Sequence, residues 1–417
     1  MDSIHIRGGV TLQGKVRIQG SKNAALPILA ASILTKEPSC IRNCPRIADV
    51  YRMLSLLNSL GCEVSWENDG IRICAGNICS GDMPKEAITG MRSSLCLLGA
   101  MTGRCGEVVM EHPGGCVIGE RPIDLHLWAL GQMGVAFEEA GGRLYARAEE
   151  LHGAYIELPI ASVGATENIL LAAVMAQGDT VICGAAREPE VVALCRYLQC
   201  CGACIEGVGT GLLRICGGRK LKGADFRVPA DRIVAGTYLF GCMITGGNVF
   251  LEEAPAGEMG SVLRLAESMG TQCDLAQEGI YVQSVPRPIL PSAIRTAPYP
   301  GFPTDLQSMA LAVMTVGEGK CLVEENIFEN RFRVVEPLRA MGADISVLDS
   351  RRVLVKGVER LSGRDTEALE LRGGAALVLA GLRAEGETRI QGCGYIYRGY
   401  ENISRDLREL GARIISV

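Results

Sequence analysis

The stretch "EHPGGCVIGERP", residues 111–122, sets one cysteine apart. Cys96 in "SSLCLLGA", Cys195 in "VVALCRYL" and Cys242 in "LFGCMITG" have apolar neighbours. Cys116 instead follows two glycines, and Gly119 and Arg121 come soon after. Glycine and proline make this stretch a loop. An accessible thiol beside a cation has a lowered pKa and raised reactivity. The plainer reading is a loop cysteine without a chemical role.

Five further stretches carry groups suited to anions or proton transfer. In "QGSKNAALP", Lys22 stands where a helix begins, and helix-start N–H groups with a lysine favour an anion. A plain cap by Ser21 with a solvated lysine fits equally. In "TGMRSSL", Arg92 enters a helix whose next turn is apolar, so it reaches solvent or pairs with an anion. In "TAPYPGFPTDLQSMA", Asp305 heads an apolar helix and reads first as a cap, second as a base in a cleft. Arg331 in "NIFENRFRVVEPL" and Arg398 in "YIYRGYENI" suit bidentate binding of phosphate or carboxylate.

The totals bound what these residues can do. A chain of 417 residues exceeds one ordinary core, so two or three domains are expected. No apolar run reaches the ~18 residues of a membrane span. The start "MDSIHIRGGV" lacks the pattern of a signal peptide, which points to the cytoplasm. In that compartment the 18 cysteines read as reduced, mostly buried thiols. The CxxC of Cys201 and Cys204 has no second pair and no neighbouring histidine, so no metal is expected. A net charge of −5 argues against nucleic acid as a partner.

The elements that must position these residues follow a repeat. Its copies include "LLNSLGCEVSW", "LCRYLQCCGACIEG" and "DLRELGARIISV". Each ends a helix on a large apolar residue and a glycine, then starts a strand. The six glycines, Gly61, Gly134, Gly202, Gly270, Gly342 and Gly411, stand 68 to 73 residues apart. Glycine there predicts a left-handed helix C-cap. Cys201 fills the slot of Leu60, Met133, Met269, Met341 and Leu410, so it reads as a buried apolar residue.

Apolar helices such as "ATENILLAAVMAQG" and "AGTYLFGCMITGG" interleave with this repeat and should be buried. The prediction is an α/β chain of two lobes, each built from three βαβαββ units around buried helices. Residues 22–229 form the first lobe, with the cysteine loop. Residues 1–21 and 230–417 form the second, completed by the N-terminal strands. A cleft between lobes is the expected place for a ligand.

Nine motifs, "GSKNAALP", "MRSSL", "HPGGCVIGERPIDLH", "SVGATENI", "AAREPE", "PADRI", "FPTDLQ", "FENRF" and "RGYE", resemble those of the UDP-N-acetylglucosamine 1-carboxyvinyltransferase family. The likeness runs from Ile4 to Val417. It implies the two-domain, inside-out α/β barrel of the enolpyruvyl transferases. It implies transfer of the enolpyruvyl group of phosphoenolpyruvate to the 3′-hydroxyl of UDP-N-acetylglucosamine, with release of phosphate, in peptidoglycan synthesis. No cofactor or metal is implied, and the partners it implies are the two small-molecule substrates.

By the same resemblance, Lys22, Arg121 and Arg398 hold the phosphate end of phosphoenolpyruvate, with Arg331 and Arg372 near its carboxylate. Cys116 donates a proton to C3, and can add to C2 as a covalent adduct. Asp305 takes the 3′-hydroxyl proton. The nucleotide sugar lies along Asn23, Arg92, Arg121, Pro122, Ile123, Asp124, Leu125, Ser162, Val163, Asp305 and Ile327. Cys116 is then the position that fosfomycin-type epoxides alkylate.

The chain departs from the family in "LELRGGAAL", where Glu370 replaces an aspartate and Gly373 and Gly374 follow. Ile160 and Ala161 precede "SVGAT", where some members have a lysine. These changes leave open a paralogue that binds the nucleotide sugar without turning it over. A shikimate-3-phosphate enolpyruvyl transferase is the third reading.

Overall fold

The computed structural model describes residues 3–78, 81–83, 92–111 and 122–417. These form two compact units. One holds the described residues of 20–229, the other residues 3–19 and 230–417.

In the first unit the helices are α1 (Lys22–Ala31), α2 (Ala48–Ser59), α3 (Cys96–Cys105), α4 (Asp124–Gly131), α5 (Val163–Ala173) and α6 (Pro189–Cys200). In the second they are α7 (Arg232–Thr245), α8 (Gly260–Ser268), α9 (Gln307–Met314), α10 (Val335–Ala340), α11 (Leu371–Arg383) and α12 (Ile403–Glu409). The apolar helices are buried as their sequences predict: every residue of α7 and of α9 lies in the interior. Helices α2, α8 and α12 carry charges and bury one side only.

Three sheets flank the buried helices of each unit. In five of them a short strand before a buried helix pairs in parallel with the strand after one, and in four of these five a hairpin extends the sheet. The sixth sheet has three strands, and Asp82 bridges Val109 where the fourth would run. The strand Ser3–Arg7 lies between Glu387–Gln391 and Arg413–Ser416, antiparallel to both. It thereby completes the sheet of the last repeat. Gln13–Arg17, which precedes α1 in sequence, pairs with Asn248–Glu252 after α7. Asp225–Arg227, which precedes α7, pairs with Ser39–Arg42 after α1.

The repeat glycines behave as one class. Their φ angles run from +87° at Gly270 to +100° at Gly202. After α2, Gly61 N–H donates to Asn58 O at 3.0 Å and Cys62 N–H to Leu57 O at 3.0 Å. This double bond pattern, a Schellman cap, recurs at all six. The residue before each glycine, Cys201 included, is buried. Burial pushes the Cys201 thiol up to about 11. At Gly411 nothing would obstruct a Cβ, so only the backbone conformation opposes substitution. Gly411→Ala should therefore lower stability by about 1 kcal/mol, read as a fall in the urea midpoint with an unchanged slope.

Candidate active site

In the second unit, three helix starts converge. Asp231 caps α7, accepting from Ile233 N–H at 2.8 Å and Val234 N–H at 3.1 Å. Glu370 caps α11, accepting from the N–H groups of Arg372 and Gly373. Asp305 lies in the one-turn helix Thr304–Leu306 that leads into α9. It caps neither element. The first reading of Asp305, as a cap, is thus corrected.

The Asp305 carboxylate instead takes two guanidinium groups. Oδ1 accepts from Arg331 Nη2 at 2.7 Å and Oδ2 from Arg372 Nη2 at 2.8 Å. The two arginine side chains are 2% and 5% exposed, whereas Asp305 is 26% exposed. A carboxylate is therefore presented outward by two buried cations. Burial alone would lower the Arg372 pKa, but Asp305, then Tyr400 and Asp231, hold it above its ordinary value. These neighbours place the starts of α7, α9 and α11 around one guanidinium. Helix N-termini with buried arginines make an environment suited to an anionic ligand.

In the first unit, Ser21 caps α1 through Ala24 N–H, as one reading of that stretch has it. Lys22, however, is not solvated. Its side chain is 11% exposed, and Nζ meets Asp49 Oδ2 at 2.6 Å on α2. Asn23 is half-buried beside it. Arg92, also half-buried, opens the turn that runs into α3 and donates to Pro122 O at 3.4 Å. Ser162 caps α5 and Val163 is its first residue. Lys22, Asn23, Arg92, Ser162 and Val163 thus all stand at the starts of buried helices.

His126 links two of these starts. Its Nδ1 accepts from Asn168 Nδ2 at 3.0 Å, and Asn168 Oδ1 accepts from Gly99 N–H at 2.6 Å. A Cβ at Gly164 would lie 2.9 Å from the His126 ring. Burial first, then the charge of Arg92, lowers the His126 pKa to about 4, so the ring is neutral at pH 7 with its proton on Nε2.

The chain is 44% identical over 414 residues to a UDP-N-acetylglucosamine 1-carboxyvinyltransferase of Nitratidesulfovibrio vulgaris, covering 99% of both chains. It is 42% identical over 417 residues to the UDP-N-acetylglucosamine 1-carboxyvinyltransferase 2 of Caldanaerobacter subterraneus, covering 100% of both. The family model described as EPSP synthase (3-phosphoshikimate 1-carboxyvinyltransferase) matches residues 6–407. The chain belongs to the UDP-N-acetylglucosamine 1-carboxyvinyltransferase group of the EPSP synthase family.

Among solved structures, the enolpyruvyl transferase NikO of Streptomyces tendae superimposes with a TM-score of 0.90 at 24% identity, covering 99% of this chain and 98% of that one. EPSP synthase of Acinetobacter baumannii gives 0.75 at 19% identity, covering 100% of this chain and 99% of that one. The fold is that of the enolpyruvyl transferases, as the motifs imply.

The remaining positions of this enolpyruvyl transferase divide cleanly. Cys116 and Arg121 lie outside the described residues. Pro122 and Asp124 are exposed at the start of α4, Ile123 is buried and Leu125 half-buried. Arg398 ends the turn Cys393–Arg398 and is half-buried. Gly374 lets that turn approach α11, because a Cβ there would lie 2.7 Å from Ile396 Cγ1. Ile160, two residues before Ser162, is exposed.

Sequence reasoning passed over Glu325. It is fully buried and accepts from Thr296 Oγ1 at 2.9 Å, Thr304 Oγ1 at 3.0 Å, Ile327 N–H at 2.8 Å and Phe328 N–H at 3.1 Å. One carboxylate thus ties the Asp305 turn to the segment that carries Ile327 and Arg331. The available signal was strand alternation in "CLVEENIF", which puts Glu325 on the buried side with Cys321 and Val323.

Proposed function

We propose that this protein transfers the enolpyruvyl group of phosphoenolpyruvate to the 3′-hydroxyl of UDP-N-acetylglucosamine and releases phosphate. The supporting observation is identity of 44% over the full length to a relative named for that reaction. The two three-repeat lobes are its domains, and its setting is peptidoglycan synthesis in the cytoplasm.

The chemistry assigns the roles. Protonation at C3 of phosphoenolpyruvate develops cationic character at C2. The 3′-oxygen then bonds to C2 and gives up its proton, forming a tetrahedral adduct. Loss of a C3 proton and of phosphate restores the double bond. Asp305 accepts the hydroxyl proton: its carboxylate is partly exposed and held at a fixed angle by two arginines. Arg331 and Arg372 stand near the substrate carboxylate and supply the positive charge that attracts it. Lys22, Arg121 and Arg398 bind the phosphate. Asn23, Arg92, Pro122, Ile123, Asp124, Leu125, Ser162, Val163 and Ile327 receive the nucleotide sugar.

Cys116 is the proton donor in this reading. Nine described thiols, among them Cys62, Cys96, Cys195 and Cys242, have pKa values pushed above the ordinary one, chiefly by burial or by a neighbouring thiol. They compete poorly for an electrophile. An epoxide phosphonate of the fosfomycin type should label Cys116 and stop phosphate release. Mass spectrometry locates the label; modification elsewhere with Cys116 clean removes it from the mechanism. Phosphate release that requires both substrates supports the transfer. Release with shikimate-3-phosphate instead, or binding of the nucleotide sugar without release, replaces it by one of the two other readings.

A further inference from the structure

Helix N-caps favour Ser, Thr, Asp and Asn, whose short side chains reach the N–H groups two and three residues on. Glu370 is one methylene longer, yet it holds the N-cap of α11, with φ −162° and ψ 169°. Its Oε2 accepts from Arg372 N–H at 2.7 Å, and its Oε1 from Gly373 N–H. To make both bonds the longer chain folds back over the first turn. A Cβ at position 373 would lie 2.7 Å from that Oε1. With the carboxylate in this place, only glycine fits at 373. The same carboxylate stands 3.9 Å from Arg331 Nη1. One buried side chain thus fixes the backbone that carries Arg372 and faces the charge of Arg331, the two groups that hold Asp305.

We propose that Glu370 and Gly373 are a matched pair of positioning residues that aims Arg372 and Arg331 at Asp305. What Asp305 then does rests on the enolpyruvyl-transfer reading. The departure from aspartate at 370 is, on this view, accommodated rather than disabling. Neither residue of the pair touches the reacting atoms, and each is tolerated because of the other.

The test is a cycle of four chains: native, E370D, G373A and E370D/G373A. In G373A the new methyl displaces the carboxylate, both capping bonds are lost and the arginines shift. The kcat for phosphate release should fall about 10- to 100-fold, the scale of a roughly 1 Å misplacement in a reacting site. KM for the nucleotide sugar should change by no more than about threefold, because binding groups elsewhere are untouched. E370D shortens the cap and frees the space, so the double variant should recover to within about threefold of the native kcat. A purely structural pair would change the yield of folded protein and leave the kcat of the folded fraction alone.

Equal loss in G373A and in the double variant overturns the pairing, and so does a kinetically silent G373A. If G373A does not fold, E370A, which removes the capping carboxylate without adding volume, is assayed in its place: a kcat at least about tenfold below the native value supports the aiming of the arginines, and an unchanged kcat overturns it. If the native chain releases no phosphate, the enzyme reading falls by itself. The pairing is then judged on thermal midpoints of the four chains, where additive effects overturn it.

Discussion

Asp305→Asn should lower kcat for phosphate release about 10³-fold, within the range for removing a positioned general base. The amide matches the carboxylate in size, so the turn Thr304–Leu306 keeps its shape. What changes is charge. Arg331 and Arg372 are buried and share Asp305 as their common anion. Taking one partner out of a buried ion pair costs about 3–5 kcal/mol. Asp305 is itself a quarter exposed, which brings the expected loss of stability to roughly 2 kcal/mol, as charge near solvent is screened. The two effects separate experimentally. Steady-state assays at saturating substrates read the chemistry, and urea unfolding reads the ion pairs. Calorimetry should still find the nucleotide sugar bound by D305N. If the variant unfolds earlier but keeps more than a tenth of the native kcat, Asp305 is an anchor for two arginines and the base lies elsewhere.

What the residues reveal without a structure depends on how far apart the interacting groups stand. Gly61 and its five counterparts are read from local order alone, because a Schellman cap is closed by bonds within six residues. Helices α7 and α9 show their burial through unbroken apolar composition. Lys22 is different. Its partner Asp49 is 27 positions away on α2, and nothing within "QGSKNAALP" marks the lysine as paired rather than solvated. Asp305 and Arg372 are joined across 67 positions, so a cap remained the better local reading of Asp305. The family resemblance named Asp305, Arg331 and Arg372 one at a time. Only the convergence of three helix starts shows why they act together. The departure at Glu370 shows the opposite case: read alone it suggests damage, and beside Gly373 it becomes a cap that fits.

Stability should fall as pH rises from about 6.5 to about 8, and Glu167→Gln should abolish that slope. Glu167 follows the cap of α5 by five residues and is buried, accepting from Cys96 Sγ at 3.4 Å. Burial, with Glu190 and Glu188 nearby, raises its pKa from 4.5 to about 8, against a lowering by the Cys96 thiol. The folded chain therefore keeps a proton that the unfolded chain releases above pH 4.5. Stability from this group is complete below that pH and is lost as pH rises to about 8, at up to about 1.4 kcal/mol per unit.

His126 acts with the opposite sign. Its pKa falls from 6.5 to about 4, so the unfolded chain binds the extra proton, and stability rises with pH across that interval. Between about 4.5 and 6.5 the two slopes offset each other, and above 6.5 Glu167 acts alone. Glutamine keeps the volume and the neutral charge of the protonated acid. E167Q should thus match the native chain near pH 4.5, exceed it progressively towards pH 8, and expose the rising limb of His126 between them. Urea midpoints at pH 4.5, 6.5 and 8 measure all three statements. Parallel curves for the native chain and E167Q would mean that Glu167 is ionised in the folded state. The contact of α3 with α5 would then enclose a charge next to the Asn168 amide that orients His126.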